Sequence, residues 1–266
     1  MRIFLVIITV MFAVSLVFTG QSKAFDIKTA FLIYTFEEGA GDTVKDQSGN
    51  GNDGTIKGAS FKWVNGKNGG GLLLPGANHS INTTTVAGVG KTFFSECLWA
   101  NFADLSTEQQ FGYISCIGEP NARFFYFSSW SSAGAPNDCM HCGTLDAGGN
   151  WGRGIASARV FKTKQWYFIS SVIDTKNGFI RVYADGALVL EQVIATGDTP
   201  GTPAEIWVGG SPENYQWING TIDDVVLFNS ALTEADINSI MNNGIKGAAV
   251  QAQGKLPITW AVIKSQ

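Results

Sequence analysis

Asp46–Ile56 reads DQSGNGNDGTI, which sets two aspartates, two asparagines and a serine among three glycines. Two chemistries suit so many side-chain oxygens on so permissive a backbone. Six to eight hard oxygens gathered at once hold a calcium ion. The same residues also supply the backbone angles and short side-chain bonds of a turn. Asp46, Ser48 and Asn50 followed by Gly51 copy the first half of an EF-hand loop, but Lys57 stands at position twelve, where a bidentate Glu is required. An EF-hand is therefore excluded. A turn, and a half-site completed from elsewhere, both stay open. Glu37 or Glu38 in FEEG and Asp223 or Asp224 in IDD are the acids able to complete it. Neighbours on a strand point to opposite faces, so only one of Asp223 and Asp224 should reach an ion.

Cys97, Cys116, Cys139 and Cys142 are the four cysteines. An even number predicts disulfides if the chain reaches an oxidising compartment, and four cysteines allow three connectivities. The economical scheme joins Cys97 to Cys116 across neighbouring strands and lets Cys139–Cys142 close a loop. Unpaired thiols are one alternative. A metal site of Cys139, His141 and Cys142, with His79 as the other histidine, is another. CMHC is no haem attachment, because Gly143 and not His follows the second cysteine.

Aromatic rings in polar loops offer a third chemistry, stacking on the apolar face of a sugar. Trp130, Trp151, Tyr215 and Trp217 lie in Ser-, Gly- and Asn-rich stretches and are the ligand-binding candidates. The competing reading makes them loop anchors. Trp99 and Trp166 fall in strand-like runs and read as core, and Trp63 should pack under the opening loop.

Short alternating runs must position these groups. Phe31–Phe36, Cys97–Phe102, Phe111–Ile117, Trp166–Ile173, Phe179–Ala184, Ala187–Val193, Ala204–Val208 and Thr221–Phe228 read as strands. Asp185-Gly186 is a two-residue hairpin signal. One helix is expected, starting at Thr233-Glu234-Ala235-Asp236 and stopped by Gly244, with Ile237, Ile240 and Met241 toward the sheet. Asp236 stands where a full capping box wants Glu or Gln. This pattern predicts an all-β chain: a two-sheet antiparallel β-sandwich of jelly-roll type with one short C-terminal helix.

The opening IYTFEEGAGDTVKDQSGNGNDGTIKG, the following WVNGKNGGGLLLPG and the closing INGTIDDVVLFNSALTEADI resemble the LamG-like jelly-roll domain, the concanavalin A-like lectin/glucanase fold, over Phe31–Gly244. The resemblance implies that the first and last strands lie side by side. It also implies a structural calcium between the opening segment and the closing strand. The matching residues here are Glu37, Asp46, Asn52, Asp53 and Asp223, joined by backbone carbonyls. Glycanases of this fold carry Glu-x-Asp-x-(x)-Glu on a strand, in keeping with the two carboxylates that glycoside cleavage needs. The chain has one Glu-x-Asp, Glu234-Ala235-Asp236, on the predicted helix and without the third acid. With two histidines in loop-like sequence and no Gly-rich phosphate loop, no catalytic residue is predicted and the chain is read as a non-enzyme.

Arg2, the apolar run Ile3–Phe18 and the small residues Ser22 and Ala24 form the layout of a signal peptide over residues 1–24. The expected jelly-roll domain then covers 25–246, and 247–266 forms a tail with a possible last strand at Ile258–Ile263. Residues 1–24 hold two bases and no acid, so the remainder carries 16 bases against 22 acids, a net charge of −6. A net acidic chain without a basic cluster is a poor partner for nucleic acid. The expected protein is thus secreted, periplasmic or at the cell surface, with no membrane span in its mature chain. Carbohydrate binding with a structural Ca²⁺ is the leading function. A protein-interaction, adhesion or structural surface module is the alternative, and a glycan hydrolase of the same fold comes third.

Overall fold

The computed structural model describes residues 25–253, apart from 77, 85, 106–110, 120–121, 133–134, 147, 151–152, 200–203 and 212–216. The expected leader and the expected strand Ile258–Ile263 lie outside the described residues. In chain order the strands are β1 (Ala30–Tyr34), β2 (Thr43–Val44), β3 (Gly54–Lys57), β4 (Lys62–Asn65), β5 (Gly70–Pro75), β6 (Ser80–Thr83), β7 (Phe93–Asp104) and β8 (Phe111–Glu119). There follow β9 (Ala122–Ser132), β10 (Ala135–Thr144), β11 (Arg153–Arg159), β12 (Trp166–Asp174), β13 (Phe179–Ala184), β14 (Ala187–Val193), β15 (Glu205–Val208), β16 (Asn219–Phe228) and helix α1 (Glu234–Gln253).

The strands form two antiparallel sheets. One runs β14-β13-β12-β7-β16-β5-β4, with β1 also paired to β16; the other runs β11-β10-β9-β8-β15-β6-β3-β2. The chain's two ends meet where expected, with Ile33 opposite Val226 and Tyr34 opposite Val225. Side chains alternate along β7. Phe94, Leu98, Ala100 and Phe102 enter the core between the sheets, while Cys97 and Trp99 enter a second apolar layer under α1. Each fully buried Phe or Leu contributes roughly 1.5–3 kcal/mol by leaving water, so β7, β12 and β16, buried on both faces, carry the sandwich.

The β13–β14 hairpin turns on Asp185 (φ 49°) and Gly186 (φ 78°), the positive angles that a two-residue turn of this kind requires. Helix α1 begins with a reciprocal cap. Thr233 N donates to Asp236 Oδ2 at 2.9 Å, and Asp236 N donates to Thr233 Oγ1 at 3.2 Å. Asp thus serves where the sequence motif wants Glu. Ile237 and Ile240 are buried against the sheet and Met241 packs beside them. Gly244 breaks the helical angles at φ 65°, ψ 168°, but helix resumes beyond it to Gln253. Gly244 is therefore a kink rather than a stop, and the expected tail begins helical. Among the described residues no helix is long and apolar enough to cross a membrane.

Candidate functional site

The five residues expected to hold calcium fall into two sets. In the first, the Asp46 carboxylate is filled by local donors. Oδ1 accepts Ile33 N (3.0 Å) and Ser48 N (2.9 Å); Oδ2 accepts Ser48 Oγ (2.7 Å) and Asn52 N (2.9 Å). Four acceptances use the lone-pair sites of a carboxylate. Asn52 is fully buried and equally engaged. Its amide donates to Phe31 O (2.6 Å) and Ala87 O (2.9 Å), and its Oδ1 accepts Ala87 N (2.8 Å). Asp53 accepts Asp46 N and pairs with Lys45 at 2.6 Å, and that partner holds its carboxyl below the usual range. Tyr34, its phenol pushed up by burial, donates to Asn52 O at 2.6 Å. The opening loop is thus a clamp that ties β1 to β3 and β6.

The second set gathers on the loop between β4 and β5. Asp223 is fully buried; its Oδ2 accepts Asn68 N at 2.8 Å, while its Oδ1 is buried without a hydrogen-bond partner. Burial pushes this carboxyl up to about 7. Glu37 Oε1 accepts Gly70 N at 3.2 Å. A methyl on Gly66 would lie 2.6 Å from Asp223 Oδ2, and one on Gly69 would lie 2.3 Å from Glu37 Oε1, so the loop's glycines make room for both acids. Phe36 holds φ 56° just before Glu37, an uncommon backbone state for a bulky residue. Strict alternation does not separate Asp223 from Asp224. A register shift follows Asp223, Asp224 takes φ 48°, and its Oδ2 accepts Asn68 Nδ2 at 3.1 Å. The bulge turns both acids toward one loop. Among the described residues no three His, Cys, Asp or Glu side chains stand close enough to hold an ion.

Neither expected disulfide is formed, and all four cysteines are buried. Cys97 and Cys116 lie in different sheets. Cys97 faces the layer under α1, bonded to Ser170 Oγ at 3.4 Å, with its thiol pushed up to about 12 by burial. CMHC is part of strand β10, not a loop. Met140 and Cys142 point into the core, so Cys139 belongs to the other face and cannot reach Cys142. His141 lies opposite Ser128 in β9, and His79 is fixed between Ser60 N and Gly76 O, each 3.1 Å away.

Trp130 lies in β9, opposite Phe111 and Cys139, rather than in a loop. Trp151 and Tyr215 fall outside the described residues. Trp217 is half-buried on Gly210, where a methyl would meet its ring at 2.9 Å. Trp99 and Trp166 pack under α1 as expected, and Trp63 donates to Gly41 O at 2.9 Å beneath the opening segment. Glu234 and Asp236 begin the helix, where Asp236 caps it.

Two features were missed from the sequence. Glu96 is fully buried between the sheets, its carboxyl pushed up to about 8 by burial and its Oε2 accepting a hydrogen bond from Ser115 Oγ. Its place between Phe94 and Leu98 in an alternating run was the available signal. The other is a groove of ≈510 Å³ at the edge of the sheet beside α1, lined by Asn177, Phe179, Arg181, Tyr183, Glu191 and Thr233. The Arg181 guanidinium lies 4.1 Å over the Phe179 ring and donates to Glu191 Oε2.

The family described as the concanavalin A-like lectin/glucanases superfamily matches residues 75–238. No curated protein matches the chain. Among solved structures it is similar to domain 4 of AbnA, a GH43 extracellular arabinanase from Geobacillus stearothermophilus, in complex with arabinotriose. The identity is 20% and the TM-score 0.60, over 80% of this chain and 98% of that one. It is also similar to the botulinum neurotoxin serotype D ligand binding domain in complex with N-acetylneuraminic acid, at 16% identity and TM-score 0.62, over 81% and 51% of the two chains. The binding domain of Paraclostridial Mosquitocidal Protein 1 follows at 16% and 0.60, over 82% and 53%. The chain spans about half the length of these toxin domains. At such identities the likeness shows a shared fold.

Proposed function

Because the chain belongs to the concanavalin A-like lectin/glucanases superfamily, we propose that it is an exported, non-catalytic module that binds saccharide and carries a structural calcium. The groove beside α1 is the observation that carries this reading. Its volume falls in the range of small-ligand sites. Its lining mixes aromatic surface with amide, hydroxyl, guanidinium and carboxylate groups. Stacked on Phe179 and braced by Glu191, Arg181 has more N–H donors than its partners use, and these can meet sugar hydroxyls. Glu191, Glu234 and Asp174 outnumber Arg181 around the groove, which favours a neutral sugar over an acidic one. Trp130, Trp151, Tyr215 and Trp217 remain a second set of candidate ligand contacts.

A glycan and polysaccharide array tests this. Binding to a neutral glycan that falls at least tenfold in Arg181→Ala is expected, because one well-placed charged hydrogen-bond donor contributes about 1.5–3 kcal/mol. Loss in Trp217→Ala with full binding in Arg181→Ala would move the site to the loop aromatics. Silence on every glycan would favour the second reading, a protein-interaction or adhesion module. The edge strand β14 supports that alternative, since it exposes Leu188, Val189 and Val193 at 44%, 38% and 82%.

For the proposed calcium, Asp223 and Glu37 are better candidates than the opening loop, whose Asp46 oxygens already accept four hydrogen bonds. Asp223 Oδ1 is a buried carboxylate oxygen still able to take a ligand, the Gly70 carbonyl lies against Gly66 beside Asp223, and the Phe36 carbonyl lies against Gly70. The ion would act as a staple between β16 and the β4–β5 loop. Saturating calcium is expected to raise Tm by about 5–10 °C. Chelator reverses the rise and Asp223→Asn removes it. A Tm indifferent to calcium in the parent protein would overturn the assignment.

A further inference from the structure

The first described residue is buried in the apolar layer under α1. Phe25 is 8% exposed, and its ring meets Phe228 edge-on at 5.9 Å. Its backbone N donates 3.2 Å to Asp236 Oδ1, in a buried contact across 211 positions of sequence. Asp236 is 7% exposed, and its Oδ2 is taken by Thr233 N at 2.9 Å and Thr233 Oγ1 at 2.7 Å. Oδ1 is thereby left for Phe25 N. Among the described residues no lysine or arginine side chain pairs with Asp236. A carboxylate this buried calls for a counter-charge. Independently, the small residues Ser22 and Ala24 place a leader cut immediately before Phe25.

We propose that the Ala24–Phe25 bond is a maturation site whose hydrolysis completes the fold. Water adds across the amide. Ala24 leaves with the new carboxylate, and Phe25 keeps the new amine. That amine is largely protonated at neutral pH. It stands at the buried Asp236 carboxylate and turns a neutral N–H hydrogen bond into a charge-assisted ion pair. The pair ties the start of the mature chain to the cap of α1, above the Phe228 end of β16. An uncut chain, or one with extra residues before Phe25, has no charge at this position.

The test uses the full chain expressed in an exporting host. N-terminal sequencing of the exported protein is expected to begin at Phe25. A variant with Gly-Ser inserted between Ala24 and Phe25 keeps the cut signal but moves the amine two residues from Asp236. Its Tm is expected to fall by about 3–8 °C. Asp236→Asn weakens the helix cap in both backgrounds, so only the difference between backgrounds is read, and that difference is expected to vanish. An exported protein that begins elsewhere, an insertion variant as stable as the parent, or a difference that survives Asp236→Asn unchanged would each overturn the proposal.

Discussion

Between pH 4.5 and 8 the protein is expected to lose roughly 4 kcal/mol of stability through one group, Glu96. Its carboxyl titrates near 4.5 when unfolded and near 8 when folded, because burial between the sheets disfavours the anion. Below pH 4.5 both states hold the proton and stability is unaffected. Between the two values the unfolded chain releases the proton and the folded chain keeps it, so each rise in pH favours unfolding. Above pH 8 both states are ionised and the slope ends. Few groups oppose this. Ser115 donates to the carboxyl, and the facing Cys142 thiol is itself pushed up by burial and stays neutral. Glu96→Gln should flatten the dependence of denaturant midpoint on pH, most clearly between pH 7 and 8. Asp223 and Glu205 are shifted in the same direction and leave a residual slope at lower pH. An unchanged slope in Glu96→Gln would mean that Glu96 ionises normally in the folded protein.

Asp46→Ala has the other large expected effect, a loss of about 3–5 kcal/mol and a Tm lower by about 10 °C. The substitution strips acceptors from three backbone N–H groups at once, those of Ile33, Ser48 and Asn52. Ile33 and Asn52 are buried, and an unmet buried donor costs about 1–3 kcal/mol, while half-buried Ser48 adds less. Asp53→Ala is the contrasting variant. Its ion pair with Lys45 is exposed, with side chains 40% and 64% accessible, and such pairs contribute under about 1 kcal/mol. Chelator separates the clamp from a metal site. If Asp46 is a clamp, the loss is the same with and without calcium. If Asp46 binds the ion, the two proteins become equally stable in chelator.

How much of this was legible depends on whether a residue's behaviour is set locally. Asp185-Gly186 announced its hairpin because two successive positive φ angles suit few other residue pairs. The closure of β1 on β16 was legible through the paired motifs at the two ends. The stretch SSWSSAGAPNDCMHCG was not. Its small polar residues read as loop, yet β9 and β10 are interior strands bonded on both sides, β9 to β8 and β10, and β10 to β9 and β11. Tertiary pairing overrides weak local preference there. The same misreading put Cys139–Cys142 in a loop and suggested a disulfide that alternation along a strand forbids. Oxygen-rich composition left DQSGNGNDG open between a turn and half of a calcium site. Only the hydrogen bonds show that backbone amides already fill Asp46. The bulge after Asp223 depends on Asp224 adopting a left-handed conformation, which a single Asp-Asp pair does not disclose.

Saccharide binding without cleavage is tested by calorimetric titration of a neutral oligosaccharide, chosen from the array, into the exported protein while reducing ends are counted in the same mixture. Saturable binding that weakens at least tenfold in Arg181→Ala, with no new reducing ends, is expected. Release of reducing ends by the parent protein would contradict a non-catalytic module. Saturable binding that Arg181→Ala leaves untouched would contradict the groove.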